Sequence, residues 1–212
     1  MNCAASSCTF SGKPTGSGSF PFNLSVTDSG AHAGNRNFTI NIAASCVFCD
    51  DFESGVISNS WTILKPSWAE SNGEMVGTSG KGKSAIVSTS GGCSLCTIEA
   101  TLSTAGGIRG KIWLLGWYQD NKNMVQLLMK EDTDRWVLKQ MVDGHIVAKG
   151  KAPLHIDPNT PYDVKIQYDG TNFTLSIDGS PVIVLQAIVS PFGTVGMQVK
   201  NTTGSYGFVL VQ

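Results

Sequence analysis

Charge is scarce in this sequence. Only 15% of its 212 residues are Asp, Glu, Lys or Arg, against roughly 25% in an ordinary soluble domain. The 15 basic and 16 acidic residues nearly cancel, leaving a formal net charge of −1. That sum offers no broad basic field for nucleic acid or an anionic membrane, so neither is expected as a partner. Long apolar runs are missing too: none approaches the roughly 20 residues of a transmembrane helix, and membrane insertion is not expected. No segment keeps a 3.6-residue apolar period, so amphipathic helices are not indicated. Histidine is down to His32, His145 and His155, each isolated. No His-Glu-x-x-His or Gly-x-Ser-x-Gly string occurs, which removes the usual cues for zinc-protease and serine-hydrolase chemistry.

What the chain has instead is 24 glycines, abundant Ser and Thr, and 41% hydrophobic residues. That is enough for a real core and argues against global disorder. Weak charge with many small polar residues suits solvent-facing β-sheets. Period-two alternation marks strands at Phe20–Thr27, Asn37–Ile42, Trp61–Leu64, Ser84–Thr89, Cys96–Leu102, Ile112–Tyr118, Met124–Lys130 and Trp136–Val142. It continues at Asp163–Tyr168, Phe173–Ile177, Val182–Leu185, Val195–Val199 and Tyr206–Val211. A shorter strand is expected at Cys8–Gly12. Asp143-Gly144, Asp169-Gly170 and Asp178-Gly179 are turn signals, and the last two are flanked by alternating strands as hairpins require. The expected fold class is all-β: an antiparallel jelly-roll β-sandwich over residues 46–212. Residues 1–45 are too few for a whole immunoglobulin-like sandwich of about 100 residues. They read as its C-terminal part, a partial Ig-like β segment, or as strands that dock on a neighbour.

The six cysteines stand in close pairs, Cys3/Cys8, Cys46/Cys49 and Cys93/Cys96. An even count in tight pairs favours an oxidising, extracytoplasmic setting, secreted or on the cell surface. The start at Met1-Asn2-Cys3 has no basic segment and no apolar stretch, so a secretion signal is expected to have been removed or to lie upstream. Residues three apart in a strand are about 10 Å apart and on opposite faces, too far for a disulfide. Each Cys-x-x-Cys therefore sits in a turn and closes locally, or the two motifs pair with each other, or Cys46, Cys49, Cys93 and Cys96 hold zinc. Disulfides are favoured over zinc by the extracellular composition. Cys3/Cys8 reads as a small loop-closing disulfide.

Gly77-Thr78-Ser79-Gly80-Lys81-Gly82-Lys83-Ser84 matches the phosphate-binding Walker pattern letter for letter. That pattern works only where a strand leads into a helix, and the β-branched Ala85-Ile86-Val87 that follows points to a coincidental Gly-rich loop. Asp132 and Asp134 have the i, i+2 spacing of paired catalytic acids, but Glu131, Thr133 and Arg135 place them in a turn. Asp50, Asp51 and Glu53 form an acidic loop that reads as solvated or as a structural calcium site. Trp113 and Trp117 are expected on one strand face with Lys111 and Leu115, an aromatic platform on which sugar rings could stack. The competing reading is that both are core, since Trp is highly buried on average.

The opening Asp50-Asp51-Phe52-Glu53-Ser54-Gly55 with Trp61, then Asn72-Gly73-Glu74-Met75 and Gly116-Trp117-Tyr118-Gln119-Asp120-Asn121-Lys122-Asn123, resemble a concanavalin A-like, laminin G-like jelly roll of secreted bacterial proteins. Val142-Asp143-Gly144, Tyr162–Ile166, Ser176-Ile177-Asp178-Gly179, Phe192–Met197 and Phe208-Val209-Leu210-Val211 continue the resemblance in order. Phe10–Thr15 and Phe22–Asp28 resemble the last strands of a bacterial Ig-like repeat. The resemblance implies glycan recognition, often by an ancillary module and often with a structural calcium. Catalytic members carry a Glu-x-Asp-x-x-Glu strand motif, which is missing here. Relatives also place an Arg where Trp117 stands, and often Phe-Asp before the final strand, where Tyr206-Gly207-Phe208 lacks the Asp. The expected function is therefore a non-catalytic, monomeric, lectin-like module that binds polysaccharide around Trp117, Tyr118, Asp120, Asn123, Gln126 and Trp136. A polysaccharide-active glycoside hydrolase and a structural or adhesive module of a surface protein are the alternatives. If the Trp117 side chain is exposed, alanine there is expected to abolish binding and leave the melting temperature nearly unchanged.

Overall fold

The computed structural model describes residues 2–4, 7–9, 18–27, 29–42, 46–107 and 109–212. The chain divides into two compact units, residues 1–45 and 46–212. In the first, β1 (Asn2–Ala4) pairs with β2 (Ser7–Thr9), and β3 (Gly18–Thr27) pairs with β4 (Ala33–Ile42). Cys3 stands opposite Cys8 in the first ladder; a bridge between them lies outside the described side chains. Residues 10–17, which hold the end of the short expected strand and the Phe10–Thr15 motif, also lie outside the described residues. The β3–β4 hairpin has two unlike faces because alternate residues point to opposite sides. On one, the Phe22 and Phe38 rings stack at 5.6 Å. On the other, Asn23 Nδ2 donates to Asn37 Oδ1 at 2.7 Å.

The second unit is a sandwich of two antiparallel sheets. The front sheet has seven strands in the order β14 (His145–Ala152), β13 (Arg135–Val142), β12 (Asn123–Lys130), β11 (Lys111–Asp120), β18 (Thr194–Lys200), β9 (Ser84–Ser88), β6 (Trp61–Lys65). The back sheet runs β17 (Ser180–Gln186), β16 (Asn172–Ile177), β15 (Tyr162–Tyr168), β10 (Thr97–Thr104), β19 (Thr202–Val211), β8 (Glu74–Ser79), β7 (Trp68–Ser71). β5 (Phe48–Asp50) adds to β19. One core lies between the sheets. Ile112, Leu114 and Leu127 enter it from the front and Ile98, Ala100 and Ile166 from the back, all fully buried. Burying side chains of this size stabilises by about 1.5–3 kcal/mol each, so the alternation that marks the strands also dictates the layering.

The hairpin signals work as their chemistry requires. Asp143 and Asp178 take φ of 51° and 48°, followed by Gly144 and Gly179 at 81° and 77°, the left-handed pair of a two-residue hairpin turn. The Walker string is a strand, a turn and a strand: β8 ends at Ser79, residues 80–83 turn, and β9 begins at Ser84. It opens no helix, so it forms no phosphate cradle. Both Cys-x-x-Cys motifs close on themselves, with Cα separations of 5.9 Å for Cys46–Cys49 and 6.1 Å for Cys93–Cys96. That corrects the zinc alternative, since the four sulfurs are already paired. Among the described residues no helix is long and apolar enough to cross a membrane.

Candidate functional site

Ile112 and Leu114 point inward along β11, so Lys111, Trp113 and Leu115 point outward. Register carries that alternation across the front sheet. Trp113 stands opposite Leu128 of β12 and Gln198 of β18, and Leu115 opposite Gln126. Gln126 is opposite Lys139, and Lys139 is opposite Lys149. Val87, Trp113, Leu115 and Met124 form an apolar cluster of their own, with Tyr118, Leu128 and Met141 packed against it. Trp113 is only 6% exposed, and the Lys83 ammonium sits 5.2 Å from its ring centroid. The lysine stem covers the indole while its charge meets the ring's negative face.

A groove of about 410 Å³ opens on this outward face. Lys65 and Lys83 line it from the β6 and β9 side, Tyr118 and Asn121 from the β11–β12 hairpin, and Gln126 and Gln198 between them. Tyr118 is half-buried, and burial first, then Asp120, pushes its phenol above the usual tyrosine range. Its hydroxyl reaches Asn121 Oδ1 at 3.4 Å. Among the described residues Gln126 Nε2 has only the Met124 sulfur, at 3.0 Å. Gln198 Nε2 is buried with no acceptor among the described residues, a state that costs about 1–3 kcal/mol for an amide donor. A smaller cavity of about 150 Å³ adjoins the groove across Met124, bounded by Asn123, Gln140 and the segment Val189–Phe192. That segment is pinned in place: Gln140 Oε1 accepts from Ile188 N at 2.8 Å, and Gln119 Nε2 donates to Phe192 O at 2.8 Å.

The expected site residues divide three ways. Tyr118 and Gln126 line the groove. Asp120 and Asn123 lie at its hairpin end, but their polar atoms are engaged in the turn. Asp120 Oδ1 accepts from Lys122 N at 2.7 Å and Asn123 N at 2.9 Å, and Asn123 Oδ1 accepts from Asp143 N at 2.9 Å. The Lys122 N–H first, then the Asn123 amide, hold the Asp120 carboxyl below the usual range. Trp117 and Trp136 are core residues at 1% and 0% exposure, which corrects the expected open platform of Trp113 and Trp117, although Trp117 also borders the smaller cavity. A bulge after Gly116 shifts the register of β11 against both neighbours. Gly116 faces the core, where a Cβ would lie 2.7 Å from Ile98 Cδ1. Trp117 then turns inward as well, at φ 46°. Its Nε1 donates to Ser94 O at 2.7 Å, inside the Cys93–Cys96 loop, and its ring meets Phe173 edge-on at 5.4 Å. Gly193 lies so close to the bulge that a Cβ there would be 2.5 Å from Trp117 C. Trp136 packs edge-on against Tyr162 at 5.5 Å. Trp113 and Trp117 thus occupy opposite faces, and alanine at Trp117 must strike the core.

The acidic loop is internally engaged. Asp50 accepts from Trp61 Nε1 at 2.7 Å and from Phe52 N at 3.0 Å, and Asp51 from Glu53 N at 3.3 Å. Among the described residues no group of three or more His, Cys, Asp or Glu is arranged to hold a metal.

Sequence reasoning missed Gln198 and, apart from Lys111, the lysines. Val195, Met197 and Val199 are buried, so the outward direction of Gln198 was readable from alternation, but its neighbours were not. Lys65, Lys83, Lys111, Lys139, Lys149 and Lys200 gather on the same face. Among the described residues none of them has a carboxylate within 4.0 Å. Burial first, then Lys200, Lys65 and Lys111, hold Lys83 below the ordinary lysine range; burial, then Lys83, Lys149 and Lys111, do the same to Lys139. Apart from Asp120 at the end of β11, the seven strands contain no Asp or Glu. The face therefore offers amides, a phenol and cations, and no pair of carboxylates.

No protein-family model matches the sequence, and no curated protein matches it. Among solved structures the chain is similar to the carbohydrate-binding module CBM66 from Bacillus subtilis, with TM-score 0.65 and 24% identity over 74% of this chain and 99% of that one. It is similar to a Bacillus licheniformis beta-glucanase, with TM-score 0.64 and 11% identity over 78% and 97% of the two chains. It is similar to the Emp47p carbohydrate recognition domain, with TM-score 0.61 and 17% identity over 79% and 95%. These likenesses show the fold, a concanavalin A-like jelly-roll sandwich.

Proposed function

We propose that this chain is a non-catalytic carbohydrate-binding module whose site is the groove on the outward face of the front sheet. The observation that carries the reading is the open groove whose wall brings together the Tyr118 ring and the amide side chains of Asn121, Gln126 and Gln198. Sugars present hydroxyl oxygens and flat C–H faces together, which amide groups and an aromatic ring match. Two of the similar structures are a carbohydrate-binding module and a carbohydrate recognition domain, which agrees with this use of the fold. The glucanase among them raises hydrolysis as the other use. Glycoside hydrolysis employs two carboxylates roughly 5–9 Å apart, and the front-sheet strands carry only the turn-bound Asp120.

Affinity electrophoresis through gels cast with a panel of polysaccharides tests the reading. At least one polymer should retard the folded protein, with no reducing sugar released. Tyr118→Ala should weaken that binding about threefold to tenfold, the scale of one aromatic contact, with the unfolding midpoint little changed. Steady release of reducing sugar, abolished by changing one Asp or Glu, would replace binding by hydrolysis.

A further inference from the structure

We propose that the glycan this face takes is an anionic polysaccharide, carboxylated or sulfated, lying across the strands along a ladder of cations. The inference rests on the carbohydrate-binding reading above. Lys130 stands opposite Arg135, and Lys111 opposite Lys200. The β11–β12 register, with Ile112 opposite Met129, continues to place Lys111 beside Lys130. The β18–β9 register, with Val199 opposite Ser84, continues to place Lys200 beside Lys83. Arg135, Lys130, Lys111 and Lys200 therefore cross four neighbouring strands at one level, one cation per strand, and Lys83, just before β9, continues the row. Only Lys130 has a carboxylate partner among the described residues, Asp132 at 3.1 Å.

Neighbouring strands lie about 4.8 Å apart, close to the rise per monosaccharide of an extended chain. A polymer bearing an anionic group on its sugars would meet successive cations as it crossed the sheet. Like charges opposite one another in a ladder destabilise it. Nothing in the fold requires the arrangement, since the core lies on the other side of the sheet. The groove with Tyr118, Gln126 and Gln198 flanks the ladder and supplies hydroxyl recognition beside it. Nucleic acid fits the face less well. Single strands need several open aromatic platforms, and here Lys83 covers Trp113. Duplex readout needs a helix or ribbon that protrudes into a groove, and this surface is a broad sheet.

The test is isothermal titration of the whole chain with two matched pairs of polymers. Polygalacturonate against its methyl ester reads carboxylate recognition; dextran sulfate against dextran reads sulfate. The expected result is binding to one charged member, at least tenfold tighter than to its uncharged counterpart. Lys111→Gln and Lys200→Gln should each weaken it roughly two- to fivefold and lower the salt slope by about one. Lys165→Gln removes the same charge from the back sheet and should change nothing. Equal binding to charged and uncharged polymers would overturn this inference and leave the carbohydrate-binding reading standing. Binding to no polysaccharide would overturn both. Equally tight binding of a single-stranded thymidylate oligonucleotide would overturn it in favour of a general polyanion surface. Circular dichroism of each variant confirms that the fold is intact.

Discussion

The outward faces of the two sheets are built from the same alternating strands, yet they handle charge in opposite ways. On the back sheet, charges and hydroxyls meet partners at once: Lys165 pairs with Glu99 at 2.9 Å, Thr101 Oγ1 donates to Asp163 Oδ1 at 2.8 Å, and the Thr78 and Thr203 hydroxyls meet at 3.2 Å. On the front sheet, lysines sit beside lysines, and Lys83 and Lys139 lose part of their affinity for protons first to burial and then to neighbouring lysines. A face that neutralises itself needs only water as its neighbour. A face left unneutralised gives up some stability and keeps its charge for something that arrives from outside. The formal net charge of −1 describes neither face, because acids on the back sheet and in the loops offset the cations of the front sheet.

Tryptophan gives the largest expected contrast. Trp117→Ala or Trp136→Ala removes a fully buried indole and should cost about 3–5 kcal/mol, read from urea unfolding at equilibrium. Trp113→Ala, on the outward cluster of the same sheet, should cost less, because a lysine stem rather than a second sheet covers it. Equal losses at Trp113 and Trp117 would mean that the outward cluster is a second core, and the division between a structural side and a recognising side of the front sheet would fail.

The next contrast trades stability against binding. Lys200 faces Lys111 directly across the β11–β18 ladder. Lys200→Glu converts a repulsive cross-strand pair into an attractive one and should raise stability by about 0.2–1 kcal/mol. The same change should weaken binding of the charged polymer. Glu99→Lys on the back sheet breaks the Lys165 pair and should confer no polymer binding. A drop in stability for Lys200→Glu would show that repulsion across the ladder is not what this face carries.

Much of the fold was legible because strand alternation and Asp-Gly turns are local. β11, β12, β13, β15, β16 and β18 fall within one or two residues of the runs read from the sequence. Two kinds of feature were not local. The bulge at Gly116–Trp117 breaks the i, i+2 count partway along β11, so an extrapolation that places Trp113 correctly puts Trp117 on the wrong face. Its cause is tertiary: the close approach of Gly193 and the Ser94 carbonyl that takes the indole N–H. The lysine face is assembled from positions 65 to 200 by strand order, and no window of sequence contains it. Composition alone therefore pointed toward aromatic faces and amides. Tyr118 and Gln126 of that expectation line the groove, while the charge beside them emerges only when the strands are set side by side.

The smallest expected effect lies at the far end of the front sheet, where an acid and a base do meet. His155 Nδ1 is 2.9 Å from Asp134 Oδ1, and Nε2 is 3.0 Å from Asp157 Oδ1. The hydrogen bond to Asp134 first, then the one to Asp157, raises the imidazole above its usual range. A raised folded-state value means that the stabilisation is fully present below the unfolded imidazole value, about 6.5, and is lost as pH rises through the folded one. Asp134 moves the other way, held down by the Ile156 N–H first and His155 second. Its contribution is present above the unfolded carboxylate value, about 3.9, and is lost as pH falls through its own folded value. The pair is therefore strongest between those limits. Urea midpoints of wild type and His155→Gln should differ most near about pH 5.5 and converge by about pH 9. A constant difference across that range would assign His155 to packing rather than charge, leaving the front sheet with no electrostatic contact of its own at this end beyond the Lys130–Asp132 pair.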